Sequence, residues 1–185
     1  MQSREPNRPA AALQAVYRVK RLVPAPLWRA VTAPYWWWYN RARHQAAALV
    51  DGRLRESQKA VEAYRDLHRG RRCFILGNGP SLRDTDLSRL QGEITFGANR
   101  VYLLFPELGF TTTYYLAVNT LVIEQCAAEI AALEVPRFLT WRARRWIEAG
   151  PRTHFLDTDY TEPANFTGDP THRMFEGSTV TYTAL

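Results

Sequence analysis

Arg71-Arg72-Cys73-Phe74-Ile75-Leu76-Gly77-Asn78-Gly79-Pro80-Ser81-Leu82 is an apolar strand that runs into a glycine-rich turn and a helix start. Residues 73–76 show no polar alternation, the pattern of a parallel strand covered on both faces. Gly77 and Gly79 can bring bare backbone close to a ligand, while Pro80 removes one donor and stiffens the exit. Ser81 followed three residues later by Asp84 has the pattern of a capping box, which predicts a helix N-terminus beside the turn and a place that attracts phosphate. No Gly-Lys-Ser/Thr closes the turn, and Leu82 stands where a dinucleotide fold would place its third glycine. Asn78 can serve as a left-handed turn residue or can offer a donor and an acceptor to a ribose or phosphate.

Outward from this turn, short apolar strands alternate with helical segments. After a helix over 82–90, strands are predicted at 94–97, 113–118, 136–140 and 153–157. Between them fall a short helix or 3₁₀ segment over 101–105, a helix over 120–133 with Ile123, Cys126, Ala127, Ile130 and Leu133 on its buried face, and a basic helix over 141–149. Residues 158–176 show no periodicity and read as a loop. The alternation predicts an α/β, Rossmann-like, mostly parallel sheet with helices on both faces, preceded by an α-helical N-terminal extension. The boundary is placed at 67/68, giving an extension over 1–67 and a nucleotide-binding domain over 68–185.

Ligands of such sheets sit outside the carboxyl ends of the strands, at a switch in strand order. Asn78, Asn99 and Asn119 each follow a different predicted strand and should share one edge. Any one of them also suits a turn or a cap. Together with Gly77, Gly79, Pro80 and Ser81 they form the candidate nucleotide site. His172, beside Arg173 in the 158–176 loop, is the candidate base, whereas His154 falls in a strand and reads as packing. Asp157, Asp159 and Asp169 read as a solvated loop, and no metal or tightly bound cofactor is expected.

The motif GNGPSL, a following helix with Asp86 and Leu90, then Phe96-Gly97-Ala98-Asn99-Arg100 and Tyr114-Tyr115-Leu116-Ala117-Val118-Asn119, resembles the 6-hydroxymethylpterin diphosphokinase MptE-like domain. The same landmarks are similar to those of bacterial sialyltransferases that use a CMP-sugar donor. The resemblance covers residues 68–185. It implies that Asn78, Asn99 and Asn119 contact the CMP moiety and that Gly177-Ser178-Thr179 is a helix start whose Ser178 faces the nucleotide. It also implies a transferase, foremost a CMP-sugar glycosyltransferase of surface-glycan synthesis acting on a glycan or small-molecule acceptor. The alternatives are diphosphate transfer from ATP to a hydroxymethylated pterin, with magnesium, and a non-catalytic nucleotide-binding fragment. The family's catalytic histidine would follow Leu185, so the chain is expected to be truncated at its C-terminus.

A chain of 185 residues that is 46% hydrophobic and 12% aromatic can bury a core. A formal charge of +6 suits phosphates, anionic lipid and nucleic acid alike. Cys73 and Cys126 have neither metal-ligand spacing nor a disulfide framework, and no signal sequence or spanning segment is evident, so a cytoplasmic location is expected. A helix over 10–22 precedes an unusual stretch in which Trp28, Tyr35, Trp36, Trp37, Trp38 and Tyr39 mix with Arg29, Arg41 and Arg43. Residues 27–43 predict peripheral contact with an anionic membrane. Packing of these aromatics onto the core is the equal alternative and nucleic-acid stacking the weaker one, and no nucleic-acid partner is expected.

Overall fold

The computed structural model describes residues 23–37, 51–159, 166–177 and 179–184. The helix expected over 10–22, residues 38–50 and Ser178 lie outside the described residues. The chain forms two compact units, Met1–Ala47 and Ala48–Leu185. In the first, α1 (Ala25–Trp37) is a helix with Pro34 inside it.

The second unit begins with α2 (Gly52–Glu62), whose Asp51 N-cap accepts from Arg53 N–H. Leu54 and Val61 of α2 are both 3% exposed and belong to the sheet's core. The predicted boundary at 67/68 therefore moves to 47/48, because α2 is amphipathic and buries its apolar stripe against β5.

Five strands, β1 (Cys73–Leu76), β2 (Ile94–Ala98), β3 (Tyr114–Ala117), β4 (Arg137–Thr140) and β5 (Thr153–Leu156), form one parallel sheet in the order β1-β2-β3-β4-β5. This is the α/β, Rossmann-like architecture expected. The order is sequential, so the five strands contain no switch point, and the expectation of one is corrected. Right-handed crossovers that all step the same way lie on the same side of a sheet. That side carries Tyr115, Ala117, Leu139 and Phe155, packed against Ile123, Cys126, Ile130, Trp141 and Ile147 of the crossovers. Ile94, Phe96, Tyr114, Leu116, Phe138 and Leu156 point the other way and meet Val61, Tyr64, Met174 and two residues of α6 (Val180–Ala184), Val180 and Ala184.

Several predicted helices are shorter and tighter than their apolar spacing suggested. The segment expected as one helix over 82–90 is two 3₁₀ turns, Pro80–Asp84 and Ser88–Leu90. Asp86 takes both the N–H and the hydroxyl of Ser88, at 3.1 and 2.5 Å, a local pairing that competes with α-helix. The helix over 120–133 divides at Cys126 (φ −120°, ψ 24°) into α4 (Thr120–Gln125) and α5 (Ala127–Ala132). The segment at 141–149 is a 3₁₀ turn, Trp141–Arg145. Another 3₁₀ segment, Asn99–Leu104, leads into α3 (Phe105–Leu108). The loop expected over 158–176 contains β6 (Thr158–Asp159) and β7 (Met174–Phe175), paired in parallel. Two-residue strands carry no readable period. β1 is an edge strand and Cys73 is exposed, which corrects the reading of 73–76 as covered on both faces.

Candidate functional site

β1, β2 and β3 are neighbours in register, with Leu76 opposite Gly97 and Ala98 opposite Leu116. Adjacent strands lie about 4.8 Å apart, so the ends of these three span about 10 Å. Asn78, Asn99 and Asn119 follow those ends by one or two residues and share the carboxyl edge. Their local roles differ.

Asn78 is exposed between two glycines. Neither Gly77 nor Gly79 has a positive φ, and a β-carbon on Gly77 would meet nothing within 4 Å. No packing or backbone strain within the chain demands these glycines, which leaves room for close approach from outside. Gly79 is the N-cap of the Pro80–Asp84 turn at φ −75° and makes no side-chain cap. The predicted capping box is absent: Ser81 instead accepts the Thr85 hydroxyl at its carbonyl, at 2.8 Å. A five-residue 3₁₀ turn has little macrodipole, so the expected phosphate attraction of the Ser81 helix start is corrected. Arg100, exposed one residue past Asn99, is the nearest cation in sequence on this edge.

Asn99 stands in the left-handed region at φ +53°, where non-glycine residues are uncommon. Its Oδ1 is buried without a hydrogen-bond partner. Buried carbonyl oxygens are almost always paired, and a strained backbone with an orphaned acceptor at a strand end is the pattern of a functional position. Gly97 is required beside it, since a β-carbon there would lie 2.5 Å from Val101 Cγ1 and 2.8 Å from Thr112 Oγ1. Asn119 is the N-cap of α4, its Oδ1 accepting from the N–H groups of Leu121 at 3.0 Å and Val122 at 3.4 Å. Only its amide N–H₂ is left for a ligand.

Farther along the same edge, sequence reading missed a buried polar cluster. Glu176, 1% exposed, follows β7 and pairs through Oε1 with Arg142, just past β4, and with the Thr158 hydroxyl. With its one proton directed to Glu176, Thr158 Oγ1 accepts from the Thr140 hydroxyl at 2.8 Å. A glutamate in an aperiodic segment gives no local sign that it will be buried. The signal present was Thr140 closing a predicted strand, with Trp141 and Arg142 directly after it.

His172 lies two residues before β7 with its side chain 75% exposed, within 3.4 Å of Asp169 Oδ2 and 3.3 Å of Thr171 Oγ1. No described contact joins it to the three asparagines. The Asp169 carboxyl is held well below the usual range by the Thr171 hydroxyl and N–H and by Arg65. A cavity of about 330 Å³ lies on the face of the sheet opposite the crossovers, floored by Phe96, Leu116, Phe138 and Leu156 and walled by Tyr64 and Met174. It contains none of the residues assigned from sequence, and such a floor suits an apolar group rather than a phosphate. Among the described residues no group of three His, Cys, Asp or Glu could hold a metal. No described helix is long and apolar enough to cross a membrane.

His154 is buried in β5, its Nε2 3.1 Å from the Tyr64 hydroxyl, as its reading as packing expects. Burial, and then the nearby Arg137 charge, pull its pKa below the ordinary value. The folded state therefore resists protonation, and stability present above about pH 6.5 is lost as pH falls. The urea midpoint should drop between pH 7 and pH 5, above the range in which the carboxylates titrate. His154→Phe should flatten that drop. An equal drop in the variant would assign the effect elsewhere.

Comparison with protein-family models, with curated proteins and with solved structures found no match for this chain.

Proposed function

We propose that the carboxyl edge of β1–β3 binds the nucleotide of an activated donor, and that the chain belongs to a nucleotide-dependent transferase of the CMP-sugar glycosyltransferase type. One observation carries the reading: Asn99, at the end of β2, combines a left-handed backbone with a buried acceptor that has no partner. The open space beside Gly77 and the exposed Asn78 support a ligand approaching the β1 turn. Arg100 supplies a cation for phosphate charge on that edge. Amides suit a base or ribose because they offer directional donors and acceptors without a charge of their own. Departure of the nucleotide would leave a phosphate whose charge Arg100 can meet.

The test is a thermal-shift and calorimetric panel of CMP, ATP, GDP and UDP, each with and without magnesium. CMP is expected to raise the melting temperature most and without dependence on magnesium. Asn78→Ala should weaken it by about 1 to 3 kcal/mol through lost hydrogen bonds. Asn119→Asp keeps the α4 cap while replacing the amide with a carboxylate, so affinity should fall with stability retained. Preference for ATP with magnesium would move the reading to diphosphate transfer. No shift with any nucleotide would reject the site.

A further inference from the structure

The chain's charge is not evenly spread. Residues 1–50 hold eight arginines and lysines against one acidic residue, whereas the other 135 residues hold sixteen against seventeen. The basic excess thus lies wholly before the sheet, and the unit that carries the candidate nucleotide edge is close to neutral. The same fifty residues contain four of the six tryptophans, at 28, 36, 37 and 38.

Within this stretch, α1 exposes large aliphatic side chains where a soluble surface would place polar ones. Leu27 is 59% and Val31 73% exposed, and their i, i+4 spacing puts them on one face of the helix. Pro26, Ala30, Ala33 and Pro34 are also exposed, and α1 contains no acidic residue. At 13 residues it is about 20 Å long, too short to span a hydrocarbon core of about 30 Å but long enough to lie in the interface. Exposed aliphatics, tryptophans and an eight-to-one excess of basic over acidic residues together fit a lipid headgroup boundary. Stacking on nucleic acid would call on exposed aromatics, and the aliphatic Leu27–Val31 face offers no such platform.

We propose that α1 is a peripheral membrane-binding helix that docks on an anionic lipid surface, with Leu27 and Val31 entering the interface and the basic excess of residues 1–50 supplying the attraction to the headgroups. The docking itself does not depend on the nucleotide reading.

The full chain should float with phosphatidylcholine vesicles that contain phosphatidylserine and not with phosphatidylcholine alone. Binding should weaken as salt rises. Leu27→Asp with Val31→Asp should abolish flotation, and each of Arg41→Gln and Arg43→Gln should lower the partition coefficient about five-fold. The melting temperature and nucleotide response of the double aspartate variant should match the parent, because both replaced side chains are exposed. Undiminished flotation of that variant, or no binding to the anionic vesicles, overturns the proposal. A lowered melting temperature in the variant would also overturn it, by showing that these side chains pack on protein. Binding to a single-stranded oligonucleotide in preference to the vesicles would instead assign the surface to nucleic acid.

Discussion

Replacing Glu176 with alanine is expected to destabilise the sheet unit by about 3 kcal/mol or more, the range for removing one partner of a buried ion pair. Its carboxylate is 1% exposed and faces Arg142, whose side chain is only 17% exposed, so water cannot readily take its place. The Thr158 hydroxyl loses its acceptor in the same step, and Thr158 is what links Glu176 to the end of β4 through Thr140. Glu176→Gln keeps one oxygen for Thr158 and should fall between the parent and the alanine variant. Urea denaturation measures both. A loss below about 0.5 kcal/mol for Glu176→Ala would mean that Arg142 is satisfied without it.

Gly97→Ala should cost about 2 kcal/mol through overpacking. The new methyl would lie 2.5 Å from Val101 Cγ1 and 2.8 and 3.0 Å from Thr112 Oγ1 and Cγ2. Val101 and Thr112 are each 1% exposed, so neither can swing into solvent. Val101→Ala in the same chain removes the closest contact and should recover part of the loss, a coupling that a double-mutant cycle reads directly. Additive losses would show that the clash is relieved elsewhere. Because Val101 follows Asn99 by two residues, the single variant should also weaken nucleotide binding.

The sheet was legible because each buried strand is a short apolar run bounded by a turn, and such runs need little else to identify them. The strand order was not legible. Nothing local in the sequence distinguishes β2 lying between β1 and β3 from a sheet that reverses at β1. The helices were misjudged in length because apolar spacing reports which face is buried and says little about whether the backbone is α or 3₁₀. Over 80–90 the deciding groups were Pro80, which has no N–H to donate, and Thr85 and Asp86, whose local hydrogen bonds outweigh the capping pattern of Ser81. The three asparagines were found by their place after strands, and the structure assigns them different work. Asn119 is an N-cap, Asn78 is exposed, and Asn99 alone is strained and carries an orphaned acceptor. Glu176 was missed because its partners, Arg142 and Thr158, are 34 and 18 residues away in sequence.

Asn99→Gly separates ligand binding from folding, and so tests the central claim most directly. Glycine occupies φ +53° without strain and removes the buried amide oxygen that lacks a partner. Stability should be unchanged or raised by up to about 1 kcal/mol. Titration calorimetry of this variant, with whichever nucleotide the parent binds most tightly, should show affinity lower by about 10- to 100-fold, the loss expected for one or two hydrogen bonds. Parent-like affinity in a folded Asn99→Gly chain would contradict the assignment of the nucleotide to this edge.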